Sequence, residues 1–78
     1  PTELVIFPNP SINSCIVSVS QPLDEIAIYD VAGRLVATQH NLNGHNQELD
    51  LRQFYSGVYF VKVHLQNGSV ITTKLVIQ

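Results

Sequence analysis

Gly57-Val58-Tyr59-Phe60-Val61-Lys62-Val63-His64-Leu65, then Gln66-Asn67-Gly68-Ser69, then Val70-Ile71-Thr72-Thr73-Lys74-Leu75-Val76-Ile77 is the stretch whose reading decides the fold. Both runs are rich in β-branched and aromatic residues and alternate with period two, the mark of half-buried strands. Tyr59, Val61, Val63 and Leu65 fall on one face of the first run and Val58, Phe60, Lys62 and His64 on the other. The charge of Lys62 assigns the second set to solvent. Asn67-Gly68 suggests a two-residue hairpin, but that register places Lys74 opposite Val61 and buries it. A three-residue loop, Gln66-Asn67-Gly68, instead pairs Val63 with Ile71, Val61 with Thr73 and Tyr59 with Leu75. A slip of one residue inverts every face, so the burial pattern selects the longer loop, a type I turn with Gly68 in the left-handed region. On the outer face Phe60 then lies opposite Lys74, and Val58 opposite Val76.

The same strand-and-turn pattern continues toward the start of the chain. Strands are predicted over Asn13–Ser20, with Cys15, Val17 and Val19 inward, and over Glu25–Tyr29, with Ile26 and Ile28 inward. Further strands are predicted over Arg34–Gln39 and over Gln47–Leu51, with Leu49 and Leu51 inward. Asp30-Val31-Ala32-Gly33 reads as a type I turn with Gly33 at positive φ. The apolar run Leu4–Phe7 is stopped by Pro8-Asn9-Pro10, and residues 1–10 are expected to hold a linker end and the first strand, kinked at the prolines. Seven short strands separated by turn signals imply an all-β, seven-stranded antiparallel immunoglobulin-like β-sandwich, with residues 1–78 as one domain.

Composition narrows the function. With 45% hydrophobic residues the chain can build a core, while charged residues reach only 13% and the formal net charge is −2. No basic run exists to neutralise phosphates, so nucleic-acid binding lacks an electrostatic footing. No apolar run is long enough to span a membrane. The sequence has no methionine, position 1 included, and the chain is therefore expected to be a fragment of a larger secreted protein. Cys15 is the sole cysteine and reads as a small buried hydrophobe.

Four motifs resemble one family, the C-terminal sorting domains (type A) of the type IX secretion system. Phe7-Pro8-Asn9-Pro10 is similar to its opening, and Ile28–Val36, containing Asp30 and Gly33-Arg34, to its internal turn. Ser56-Gly57-Val58-Tyr59-Phe60-Val61-Lys62-Val63 resembles its signature strand, and Thr73-Lys74-Leu75-Val76 its tail, in which Thr73 stands where members often carry lysine. The resemblance covers most of the chain, in order and spacing. It implies a signal that takes an upstream passenger domain from the periplasm across the outer membrane. The implied partners are the outer-membrane translocon and a sortase-like surface peptidase that cleaves the domain off. The cell surface or the extracellular space is the implied destination. Pro8, Asn9, Pro10, Gly33, Gly57, Tyr59, Lys62, Lys74 and Leu75 match the family's motif positions.

The residues themselves assign most of these positions to structure. Gly33 and Gly57 meet backbone requirements, and Tyr59 belongs to the core with a hydroxyl that needs one partner. Val58, Phe60 and Val76, with Lys62, Lys74 and Leu75, form the candidate surface for translocon recognition, because outward apolar residues on adjacent strands make a patch that a monomer does not need. The last strand is expected at a sheet edge, open to strand addition or to dimer formation.

No catalytic constellation emerges, and no cofactor is implied. His40, His45 and His64 lie on two loops and an outer strand face. His40 and His45 lack further ligands at metal-binding spacing, and Asp24, Glu25 and Asp30 do not form a calcium loop. Asn67-Gly68-Ser69 fits a glycosylation sequon but is explained by the turn. Two alternatives remain at this level: a structural or adhesive immunoglobulin-like repeat, and a carbohydrate-binding module with Phe54, Tyr55 and Phe60 as its only aromatic candidates.

Overall fold

In the computed structural model, which describes residues 3–78, the alternating runs become seven strands. They are β1 (Leu4–Phe7), β2 (Ser14–Val19), β3 (Leu23–Asp30), β4 (Leu35–Gln39), β5 (Asn46–Asp50), β6 (Gly57–Leu65) and β7 (Val70–Ile77). Residues 1–2, the start of the expected linker end, lie outside the described residues. Two antiparallel sheets form, one ordered β1-β2-β5 and the other β4-β3-β6-β7. The fold is an immunoglobulin-like sandwich in which β4 joins β3 instead of β5.

The core lies between the sheets. Cys15, Val17 and Val19 of β2, with Leu49 of β5, face Ile26 and Ile28 of β3, Val61 and Val63 of β6 and Leu75 and Ile77 of β7. Burying a residue of this size contributes about 1.5–3 kcal/mol relative to leaving it exposed. Cys15 is fully buried. Burial pushes its thiol pKa up, opposed by a hydrogen bond with Ser11.

The β6–β7 hairpin has the register that the burial argument selects. Val63 pairs with Ile71, Val61 with Thr73, Tyr59 with Leu75, Phe60 with Lys74 and Val58 with Val76. The Leu65 amide donates to the Ser69 carbonyl at 2.9 Å, and Gly68 takes φ +91°. The Asp30–Gly33 turn is closed by the Gly33 amide on the Asp30 carbonyl at 3.0 Å, with Gly33 at φ +84°.

Leu4–Phe7 forms the first strand, running from Leu4 opposite Val19 to Phe7 opposite Ile16. Two other elements differ from expectation. β3 begins two residues early, at Leu23, because a register shift between Leu23 and Glu25 absorbs the exposed Asp24. β5 ends at Asp50, and Leu51 is buried just beyond it, its amide held by the Asn13 carbonyl at 2.9 Å.

The proline segment connects the two sheets. After β1 the chain crosses to the other sheet, where Ser11 forms a parallel bridge with Ile77 of β7, and it then returns as β2. One side of the sandwich is thereby closed.

Candidate functional site: the outer face of the four-stranded sheet

Strand alternation sends every second side chain of β6 and β7 away from the core. This places Val58, Phe60 and Lys62 beside Val76, Lys74 and Thr72 in directly opposed pairs. On the other flank of β6, Tyr29 lies opposite Phe60 and Ala27 opposite Lys62. Leu35 of β4 completes a row, Leu35–Tyr29–Phe60–Lys74, across the whole sheet. Phe60 is 39% exposed and Leu35 54%, while Val58, Lys62 and Val76 are half-buried and Lys74 is exposed. Tyr29, Phe60, Lys62 and Thr72 border a shallow hollow in this face.

The electrostatics single out the same face. The chain carries four lysine and arginine residues. Arg34 pairs with Asp30 at 2.8 Å and Arg52 with Asp50 at 2.9 Å. Lys62 and Lys74 form no ion pair among the described residues, and both lie on this sheet's outer face. The paired carboxylates respond accordingly. Hydrogen bonds from the Arg52 side chain, and then from its backbone amide, hold the Asp50 pKa down at about 2. The Arg34 backbone amide is the main reason Asp30 also lies below the usual carboxylate range.

Leu75 does not belong to this surface. It shares the inward side of β7 with Thr73 and Ile77 and is fully buried, so period two withdraws it from the candidate recognition set. The remaining motif residues hold the backbone in place. Gly57 opens β6 at φ +149°, a conformation that side-chain-bearing residues rarely adopt. The Tyr59 hydroxyl donates to the Tyr55 carbonyl at 2.8 Å, tying the start of β6 to the preceding loop in the manner of a tyrosine corner. Pro8 and Pro10 flank Asn9, and the Pro8 carbonyl accepts the Ser11 hydroxyl.

Asn9 has a role that sequence reasoning missed. Its amide nitrogen donates to the Lys74 carbonyl at 3.1 Å, and its Oδ1 accepts from the Val76 amide at 3.1 Å. The sequence offered only a polar residue between two prolines. Nothing local reveals a partner more than sixty residues away.

Other candidate groups are dispersed. His40 Nδ1 lies 3.1 Å from Glu25 Oε1, and His45 Nδ1 donates to the Val19 carbonyl at 3.1 Å. No cluster of three or more metal-ligating side chains occurs among the described residues. Phe54 packs against the core with its ring 5.6 Å from that of Tyr59, whereas Tyr55 is 89% exposed. Phe54 is thereby lost to any aromatic binding stripe.

A family model described as a secretion system C-terminal sorting domain matches residues 5–78. The chain belongs to this family. Among solved structures, dimeric latent PorU from Porphyromonas gingivalis aligns with 97% of the sorting domain at 20% identity and a TM-score of 0.66. The sorting domain spans only 9% of that PorU chain. CopC from Methylosinus trichosporium OB3b aligns with 96% of the domain and 91% of its own chain, at 17% identity and a TM-score of 0.53. At these identities both likenesses concern the fold. A search of curated protein sequences gave no match. The sorting domain is a type IX secretion signal, which entails interaction with the secretion machinery and export across the outer membrane to the cell surface or beyond. Among the described residues no helix is long and apolar enough to cross a membrane.

Proposed function

We propose that the sorting domain is read as a folded, non-enzymatic module by the type IX outer-membrane translocon, through the outer face of its four-stranded sheet. The observation that carries this reading is the shared location, on one face, of the exposed Phe60 and the two lysines, which have no ion partner among the described residues, with Val58 and Val76 beside them. An apolar anchor flanked by available cations suits a partner surface of opposite charge with a hydrophobic recess. In this reading the domain is one unit of a longer secreted protein. The passenger lies upstream and crosses the periplasm first. A sortase-like surface peptidase then removes the domain. Leu75 acts through the core and not as a contact.

The test is secretion of a periplasmic fluorescent reporter carrying the domain at its C-terminus, in a host with a type IX system. The intact domain is expected to take the reporter outside the cell. A version lacking Lys74–Gln78 is expected to leave it in the periplasm. Because those residues include a core strand, Phe60→Ala combined with Lys74→Ala is the cleaner variant. It is expected to remain folded and to reduce export several-fold. Export at the level of the intact domain by that double variant would overturn the outer-face reading. If the intact, folded domain fails to leave the periplasm, the structural-repeat alternative takes its place.

A further inference from the structure

In an antiparallel ladder the backbone groups of successive residues point to opposite sides of the strand. On β7 the Lys74 carbonyl, the Val76 amide and carbonyl and the Gln78 amide point away from β6 and are taken up by Asn9 and Ser11. Alternation places the Val70 and Thr72 amides and carbonyls, and the Lys74 amide, on the same outward side. None of these has a hydrogen-bond partner among the described residues. The edge of β7 is therefore covered at one half and open at the other. Half of this cover is the Ser11 backbone, and the other half is unusual in that a side chain supplies it. The Asn9 carboxamide has the donor and acceptor of a peptide group, and it engages Lys74 and Val76 as a neighbouring strand would.

We propose that Asn9 guards β7 against pairing with a second copy of this chain. A two-fold, antiparallel β7–β7 pairing centred on Thr73 would place Val70 opposite Val76 and Thr72 opposite Lys74. That register matches apolar with apolar and sets no like charges opposite each other. It needs the Lys74 carbonyl and the Val76 amide, both held by Asn9, and the Val76 carbonyl, held by the Ser11 amide. Registers centred on Ile71 or Thr72 are confined to the open groups of Val70, Thr72 and Lys74, a contact of a few residues that is marginal on its own in water. The guard thus converts a self-complementary edge into one that cannot propagate. This inference is independent of which face the translocon reads.

Hydrogen exchange on the unmodified 78-residue chain provides the first measurement. The Val76 amide should exchange about tenfold more slowly, or more, than the Thr72 and Lys74 amides of the same strand. The second measurement is sedimentation. The unmodified chain should be monomeric, and Asn9→Ala should dimerise as concentration rises. Adding Thr72→Pro should restore the monomer, because the outward Thr72 amide is needed for the new ladder but not for β6. The guard is overturned if Val76 exchanges as fast as Thr72, or if folded Asn9→Ala stays monomeric at the same concentrations. It is also overturned if the unmodified chain dimerises through β7, or if the Thr72→Pro double variant still dimerises. Should Asn9→Ala not fold, the exchange rates of the unmodified chain decide alone.

Discussion

At the scale of single residues, backbone demands dominate the positions that the motifs mark. Gly57 shows this clearly. A Cβ built there meets nothing within 4 Å, so any penalty of substitution comes from φ +149° and not from crowding. Gly57→Val should cost about 1–3 kcal/mol, read as a lower midpoint in urea with an unchanged m-value. An unaltered midpoint would mean that the strand entry relaxes at no cost. Tyr59 combines a ring in the core with a hydroxyl held by the Tyr55 carbonyl, which satisfies a polar group that burial would otherwise leave without water. Asn9 shows the limit of residue-level reading. Its type suits a turn between prolines, and its actual task, completing a distant strand, becomes visible only once β7 is in place.

At the scale of elements, β6 and β7 separate the two roles of the hairpin, with one face for stability and one for contact. Leu75→Ala should cost about 2–5 kcal/mol, because it empties a site with no solvent exposure. Phe60→Ala, one strand away and outward, should change stability by less than about 1 kcal/mol. Chemical denaturation of the two variants side by side checks the contrast, and a large loss for Phe60→Ala would make the outer face a structural layer. These strands were legible in the sequence because charge and period agree: Lys62 and Lys74 fix the outward side and the turn length follows. β3 was less legible. Ala27 lies on the outer side yet is 2% exposed, because a small residue in a central strand is covered by the larger side chains opposite it, Thr38 and Lys62. The period-two pattern is blurred there, and Asp24 in the shifted register blurs it further. β1 was hard to separate from a linker because it has only four residues before the prolines. Of the candidate surface, five residues share the outer face and one, Leu75, was drawn in by motif likeness against its own alternation.

At the scale of the whole molecule, stability and charge meet in the acid range. Asp30 and Asp50 hold their protons less tightly in the folded chain than at their ordinary value of 3.8, through hydrogen bonds from Arg34 and Arg52. A depressed folded pKa adds stability above the unfolded value and loses it as pH falls through the folded one. The melting temperature should therefore vary little with these groups from pH 7 to about 5 and fall between about pH 4 and 2. Asp50→Asn should make that fall shallower, and an identical acid limb in thermal scans would remove Asp50 from the account. The sheet order also has a directional consequence. Glu3 is fastened beside Ser20 at one end of the sandwich, whereas Gln78 is fastened to Ser11 at the other. Tension applied between these residues would run lengthwise along β1 and β7 and load their ladders in shear. The bonds of each ladder would then share the force, instead of giving way one by one as in a peeled hairpin.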